Sequence, residues 1–491
     1  MRNKILLIRP KNVYNYNNYP TLGLISLASV LKTAGYQVKI INCAFEKDPL
    51  QAIAKELPEV LFAGISLLTS ESPDAYRIMS FIKEKSDLLI AAGGWHCTLF
   101  PEQMVECRYV DYVIAGEGEE HILALAEQLK NGRKPATKIF KKKTLNMELL
   151  PSLDYEIDTD IERFITSYLT DKFSENVKQP MRWLPYESSR GCPSLCTFCI
   201  NVVTDNNHYR IKSAEKVISE VDSIVKKHRL THLKIIDDNF FVDMKRVIAI
   251  CEGFIKKKLN ITWDGECRCD YFKDSMINDQ ALKLLKASGL VQLTLGIESG
   301  SARTLKLMKK GIVPEQAEAA VKKCNEYRIV ARSSFIIEIP GEQIEDIKKT
   351  IAFINRLRKY PYYTCGINTF RPYPKCELTG ELLKQGYLKE PGSFVEWTDK
   401  SVIDLYTAAE YKRPWQVAAG FSESAAYYLS MESSVRLGKH QLSARIDRCI
   451  NALFVRLARI RNKFMFYHFP FEKHLYRFFL TNYYKKNSKD I

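Results

Sequence analysis

Residues 188–199 read Ser188-Ser189-Arg190-Gly191-Cys192-Pro193-Ser194-Leu195-Cys196-Thr197-Phe198-Cys199. Three thiols spaced Cys-x-x-x-Cys-x-x-Cys follow directly on Tyr186–Ser189, which reads as a strand. Cysteine thiolates are the ordinary ligands of iron–sulfur clusters, and so short a loop can wrap one corner of a cubane. Four cysteines would close such a site. Three leave one iron for a non-protein ligand, as a catalytic metal site keeps one position open. Gly191 and Pro193 suit a tight turn that brings backbone close to the metal. Zinc is the competing reading, but zinc takes a fourth protein ligand, often from a second close pair. The other close pair, Cys267-x-Cys269, has the wrong spacing for one.

Downstream of the motif, strand and helix alternate from 183 to 400. Candidate strands are Tyr186–Ser189, Leu233–Ile236, Thr262–Glu266, Gln292–Ile297, Ser333–Ile339 and Gly366–Phe370, with helices such as Ser213–His228 and Ile344–Lys359 between them. Six βα units in a row predict a parallel barrel or open partial barrel, with its chemistry at the C-terminal strand ends. Those ends carry Asp237-Asp238-Asn239, then Arg268, then Glu298-Ser299, and finally Pro340-Gly341-Glu342.

Upstream, residues 1–135 alternate apolar strands (Lys4–Ile8, Gln37–Ile41, Val60–Leu67, Leu88–Ala92, Tyr112–Ala115) with helical patterns at Leu22–Leu31 and Ala75–Ile82. Continuous apolar strands between amphipathic helices mean a doubly wound α/β domain, whose ligand site lies at the carboxyl ends of the strands. Gly64-Ile65-Ser66, Gly93-Gly94-Trp95-His96 and Gly116-Glu117-Gly118 fall at those ends. Glycines there let backbone approach a large flat ligand. The first strand turn, Pro10-Lys11-Asn12-Val13-Tyr14, holds no glycine, which argues against a G-x-G-x-x-G dinucleotide site. Residues 136–182, with the run Lys141-Lys142-Lys143, read as a linker. Residues 401–491 read as a helical region rich in Tyr, Phe and Arg.

At 491 residues, with 46% hydrophobic and 26% charged side chains, the chain is expected to fold into two or three domains. Its opening MRNKILLIRP makes a poor signal peptide and a good first strand, and no apolar run approaches the roughly 20 residues of a membrane span. A cytoplasmic, reducing location is therefore expected, and disulfides are not. Lone cysteines such as Cys43, Cys251, Cys324 and Cys449 read as small buried hydrophobes. About half of the net charge of +16 lies in the last ninety or so residues.

On these residues the chain resembles two families joined in tandem. Cys-x-x-x-Cys-x-aromatic-Cys is the signature of the radical SAM superfamily, and Gly296-Ile297-Glu298-Ser299-Gly300-Ser301 with Lys310-Gly311 is similar to its GIESGS…KG segment. The resemblance implies that Cys192, Cys196 and Cys199 bind a [4Fe–4S] cluster whose open iron takes S-adenosylmethionine (SAM). Reductive cleavage of SAM then gives a 5′-deoxyadenosyl radical. It further implies SAM contacts from Phe198, Asp237, Asp238, Arg268, Glu298 and Ser299. The family has glycine two residues before the later Pro-Gly-Glu turn; Glu338 stands there, which puts backbone approach to adenine at that strand in question. The first 130 residues resemble the cobalamin-binding domain that precedes many radical SAM domains. Ser66, Thr69, Gly93, Gly94, Gly116 and Glu117 are the implied cobalamin contacts, and His96 reads equally as a corrin contact or as a satisfied surface or core residue beside Trp95. The D-x-H-x-x-G motif of a lower axial histidine is absent, and the first loop offers Tyr14, Tyr16 and Tyr19 instead.

The resemblance to cobalamin-dependent class B methyltransferases implies methylation of an unactivated carbon in a small-molecule or lipid-like substrate. The runner-up resemblance, to the anaerobic magnesium-protoporphyrin monomethyl ester cyclase group, implies oxidative cyclisation or rearrangement without methyl transfer. An external one-electron donor such as flavodoxin or ferredoxin is implied in either case. An RNA-modifying role finds little support: Cys43, Cys97 and Cys107 are too widely spaced for a second cluster, and the tail is helical. The segment Ala452–Tyr467 admits two readings, a basic amphipathic helix on a membrane surface or a helix packed on the barrel. Aromatics such as Tyr362, Tyr363, Phe370 and Tyr373 hint at a bulky apolar substrate but equally suit packing.

Overall fold

The structure, a computed structural model, describes residues 2–14, 20–141, 144–166, 181–204, 207–408, 411–436, 445–467, 470–472 and 475. Tyr16, Tyr19, Lys142 and Lys143 lie outside them, as does the side chain of Cys449. The chain forms two compact units, one of Met1–Tyr168, Pro180–Ile261 and Arg371–Tyr411, the other including Thr262–Phe370 and Lys412–Ile491.

The first unit opens with the doubly wound sheet. Its strands are β1 (Lys4–Arg9), β2 (Gln37–Asn42), β3 (Val60–Ser66), β4 (Ile90–Gly93), β5 (Tyr112–Ile114) and β6 (Ile139–Phe140), in the order β2-β1-β3-β4-β5-β6 with every pair parallel. Ile5, Leu6, Leu7 and Ile8 are all fully buried, as apolar strands covered on both faces must be. The order reverses between β1 and β3, and a crevice opens at such a switch point. The stretch read as a linker is more ordered than expected. It supplies edge strand β6, two single turns (Met147–Leu149, Tyr155–Ile157) and the helix Ile161–Thr166. Buried Tyr155 is its anchor, its hydroxyl donating to the Pro185 carbonyl at 2.6 Å.

Also in this unit, β7 (Trp183–Tyr186) pairs parallel with β10 (His232–Ile235), and β8 (Ser189–Arg190) pairs antiparallel with β9 (Arg210–Ile211). The strand expected over Tyr186–Ser189 therefore sits earlier. The backbone breaks at Glu187–Ser188, and the two-residue β8 leads into the cysteines. The helix Ala214–His228 starts on Ser213, whose hydroxyl accepts from the Lys216 amide.

The second unit holds β11 (Thr262–Cys267), β12 (Leu290–Glu298), β13 (Val330–Ile337) and β14 (Tyr363–Thr369), each paired parallel to the next. With β7 and β10 they make up the six strands expected after the linker. Tyr363 and Phe370 are buried, and so serve packing. The helices Ala419–Arg436 and Arg445–Phe464 belong to this unit, and no helix among the described residues is long and apolar enough to cross a membrane. Cys43, Cys251 and Cys324 are buried and form no disulfide, as expected.

Candidate functional site

The cysteine loop is held from beneath by Asp237. Its carboxylate, fully buried, accepts from the Ser188 amide at 2.7 Å, the Ser188 hydroxyl at 2.5 Å and the Ser189 hydroxyl at 2.6 Å. Burial raises the Asp237 carboxyl above its ordinary range in spite of these donors. Arg246 braces the same turn, donating to the Ser188 carbonyl at 2.8 Å and to its hydroxyl at 2.7 Å. The next residue, Asp238, is exposed and accepts from the Gly191 amide at 3.2 Å. Of the two aspartates read as SAM contacts, one is thus committed inward and the other faces outward.

Gly191 takes φ +81°, and a Cβ there would fall 2.2 Å from the His208 carbonyl oxygen. Only glycine passes that point without moving the neighbouring backbone. Beyond it, the Cys196 carbonyl accepts from the Cys199 amide at 3.1 Å, and the Thr197 carbonyl from the Leu378 amide at 3.1 Å. Cys196 is buried, while Cys192 and Cys199 are partly exposed. The Asn239 side-chain amide lies 3.4 Å from the Cys192 sulfur. Burial pushes the Cys199 thiol up to about 11, so iron binding there must displace a proton. Among the described residues no three His, Cys, Asp or Glu side chains converge as ligands of a single ion do. A cubane takes each thiolate on a separate iron, and three thiols on one short loop suit that donor set.

A cavity of about 420 Å³ opens at the β1/β3 switch point of the same unit. Leu7, Gly64, Ile65, Ser66, Gly93, Gly94, Gly116 and Glu117 line one side, and Ser189, Arg190, Ile236 and Asp238 from the approach to the cysteine loop line another. Gly94 has φ +93°, and a Cβ there would stand 2.8 Å from the Leu67 backbone. Gly23, at the start of the helix Leu22–Thr33, also lines the cavity. A Cβ there would meet nothing within 4 Å, so this stretch of backbone is open to a ligand. The Thr98 hydroxyl accepts from the Gly116 amide at 2.9 Å and fixes that turn. A hollow lined by glycine backbone and apolar side chains, with Glu117, Arg190 and Asp238 on its polar wall, fits a broad ring system such as a corrin.

Two residues expected at this ligand lie elsewhere. Neither Thr69 nor His96 lines the cavity. His96 is fully buried with its Nδ1 3.1 Å from the Thr69 hydroxyl, and its ring packs 5.3–5.5 Å from Phe100, Phe394 and Trp397. Burial lowers its pKa to about 3, which makes it a neutral core residue. Tyr14 likewise turns away, donating to Asp404 at 2.8 Å.

In the second unit, Arg268 donates to the Asp270 carboxylate at 2.9 Å and to the Lys310 carbonyl at 2.8 Å. Glu298 ends β12 at φ +68° and pairs with the Lys310 ammonium at 3.0 Å. A Cβ on Gly296 would come within 2.8 Å of both partners, so glycine makes room for this pair. Ser299 is buried. Its hydroxyl, 2.9 Å from the Thr350 hydroxyl, accepts from the Ser301 amide, so it shapes the turn after Glu298. Arg268, Glu298 and Ser299 are therefore linked through Lys310 and the Glu298–Ser301 turn.

Glu338 resolves the departure noted in the sequence. It adopts φ +60°, the conformation glycine would take, at a cost on the order of 1 kcal/mol. Its buried carboxylate accepts from the Val417 amide at 2.9 Å, the Ala418 amide at 3.1 Å and the Ser422 hydroxyl at 2.6 Å. Those amides immediately precede the helix Ala419–Arg436 and Ser422 lies in its first turn, so a side chain distant in sequence anchors the start of the helix.

Sequence reasoning missed a buried ion network in the first unit. Arg190 donates to Glu119 at 2.8 Å, to Glu117 at 3.1 Å and to Glu187 at 2.8 Å, and Arg210 donates to Glu117 at 3.0 Å. Burial disfavours the Arg190 charge, but the three carboxylates outweigh it and hold the guanidinium well above its ordinary range. The available signal was Glu117-x-Glu119 at a glycine-rich strand end, with an arginine two residues before the first cysteine.

Residues 186–354 match the radical SAM superfamily and residues 13–126 the B12 binding domain. The chain is 31% identical over 390 residues to an uncharacterized methyltransferase of Pyrococcus horikoshii, covering 76% of this chain and 82% of the relative. It is 26% identical over 348 residues to the anaerobic magnesium-protoporphyrin IX monomethyl ester cyclase of Rubrivivax gelatinosus, covering 68% of this chain and 61% of that enzyme. Its fold is similar to that of TsrM, a radical SAM methyltransferase of Kitasatospora setae solved with tryptophan substrate and a SAM analogue. The TM-score is 0.65 at 15% identity, covering 94% of this chain and 98% of that one.

Proposed function

Because the chain belongs to the B12-binding radical SAM enzymes, whose cofactors are a [4Fe–4S] cluster, SAM and cobalamin, we propose that it methylates an unactivated carbon of a small-molecule or lipid-like substrate. When bound, the cluster with SAM supplies a 5′-deoxyadenosyl radical and cobalamin a transferable methyl group.

The observation that carries this reading is the shared wall of the cavity. Ser189, Arg190, Ile236 and Asp238, which precede or underlie the cysteine loop, also line the hollow at the β1/β3 switch point. In this proposal Cys192, Cys196 and Cys199 hold the cluster, and Asn239 donates to the Cys192 sulfur and tunes its charge. Asp237 holds the loop in place through Ser188 and Ser189. Phe198, Asp238, Arg268 and Glu298 bind SAM, and Ser299 positions Glu298. Ser66, Gly93, Gly94, Gly116 and Glu117 bind cobalamin. An external one-electron donor such as flavodoxin or ferredoxin supplies the electron.

Cyclisation without methyl transfer is the second reading, favoured by the similarity to the Rubrivivax cyclase. The two separate in one assay. Anaerobic turnover with methyl-deuterated SAM, a reductant and a small-molecule and lipid extract gives deuterated product and S-adenosylhomocysteine if methyl transfer occurs. Formation of 5′-deoxyadenosine and product with no S-adenosylhomocysteine would reject methylation and leave cyclisation.

A further inference from the structure

We propose that the C-terminal segment 453–475 docks the protein on an anionic lipid surface. The helix Arg445–Phe464 is fastened by one face. Val455, Ala458 and Asn462 are buried, the Asn462 side chain donates to the Tyr428 carbonyl at 3.2 Å, and its carbonyl accepts from Asn355 at 2.8 Å. The opposite face is not apolar-poor, as a solvated face would be. Leu453, Ile460 and Phe464 are 56%, 50% and 69% exposed, and past the helix Phe466, Phe471 and Leu475 are 52%, 67% and 58% exposed. Residues seven and eleven apart return to within about 20° on a helix, so Leu453, Ile460 and Phe464 form one stripe. Exposed Arg456, Arg459 and Lys463 lie along one flank of it, about 60–120° round.

Charge selects the occupant. Across 452–475 the sequence holds a single acidic residue, Glu472, and it is buried against Arg461. Among the described residues, the exposed face therefore presents apolar side chains and cations and no carboxylate. A protein interface core of this size depletes lysine, and aliphatic Leu453 and Ile460 offer a nucleic acid nothing to stack on. An apolar stripe flanked by cations is what an interfacial helix requires: side chains for the acyl boundary and charges for anionic headgroups. The helix lies on the bilayer and does not cross it.

The test is flotation of the full-length protein with vesicles of phosphatidylcholine alone or with a third of phosphatidylglycerol. The chain is expected to float with the anionic vesicles and bind neutral ones on the order of a hundredfold more weakly, as three surface cations imply. A Phe464→Ser/Phe466→Ser/Phe471→Ser variant is expected to lose most retention at low salt. An Arg456→Gln/Lys463→Gln variant should keep weak binding that no longer distinguishes the two lipids. Both variants are first shown by circular dichroism to keep the parent's helix content. No retention on anionic vesicles at low salt overturns the proposal. So does a concentration-dependent dimer that the phenylalanine variant abolishes, which would assign the patch to a second copy, or RNA retention lost with the arginine variant.

Discussion

Arg190 and Glu119, 71 residues apart in sequence, meet at 2.8 Å between the cobalamin-type domain and the strand that delivers the cysteine loop. Both are largely buried, and the same Glu119 oxygen accepts from Ser26 at 2.7 Å. Burial works against the Glu119 charge, but Arg190 and Ser26 hold its carboxyl below the ordinary range. A carboxyl depressed in the folded state stabilises the fold above its unfolded pKa, and that contribution is lost as pH falls through the folded value. Glu119→Gln is therefore expected to cost about 2 kcal/mol at pH 7 by leaving the guanidinium short of charge. The deficit should begin to shrink as pH falls below the ordinary glutamate value of about 4.3 and vanish only below the depressed value of the folded state. Denaturant unfolding at pH 7 and in steps down to the acid limit of the folded state measures it; a deficit that stays constant over that whole range would show that charge plays no part.

Gly23 offers a substitution that separates the cavity from the cluster. Its missing side chain points into open space beside the cavity, so Gly23→Leu should leave the unfolding midpoint nearly unchanged. The leucine occupies ligand space, and bound cobalt is expected to fall at least tenfold while iron stays constant. Metal analysis after reconstitution reads both. Cobalt retained at the wild-type level would move the ligand away from the cavity.

Glu338 makes a local prediction. Glu338→Ala removes three acceptor contacts from the start of the helix Ala419–Arg436 and leaves the Ser422 hydroxyl and two amides seeking partners. The loss of these contacts is expected to cost about 1–2 kcal/mol. Hydrogen exchange at Val417 and Ala418 should accelerate by about tenfold, with exchange in β1–β5 unchanged. Unchanged protection at both amides would mean that the carboxylate does not hold them.

Much of the fold was legible because its strands are short apolar runs that leave helical spacing no room. Lys4–Arg9 and Val60–Ser66 need no tertiary knowledge to be read as buried parallel strands. The three cysteines proposed to hold the cluster could be singled out for a similar reason, since their spacing is local. What stayed hidden depended on direction and on distant partners. Asp237 and Asp238 look equivalent as letters, yet adjacent side chains at a strand end point opposite ways, and one is buried under Ser188 while the other is exposed. His96 follows two glycines, as a ligand contact would, but Phe394 and Trp397, some three hundred residues later, enclose it. Glu338 reads as the loss of a glycine, and only its bonds to Val417, Ala418 and Ser422 show why an acidic residue is kept in a left-handed conformation.

One compact unit carries both the cysteine loop proposed to hold the cluster and the cavity proposed to hold cobalamin. Anaerobic reconstitution with iron, sulfide and hydroxocobalamin, followed by metal analysis, tests it on the wild type and on a Cys192→Ala/Cys196→Ala/Cys199→Ala variant. The expected result is about four irons and one cobalt per wild-type chain, with iron lost and cobalt kept in the variant. Iron without cobalt in the wild type would contradict it, leaving the N-terminal sheet a scaffold and cobalamin-dependent methyl transfer without its cofactor.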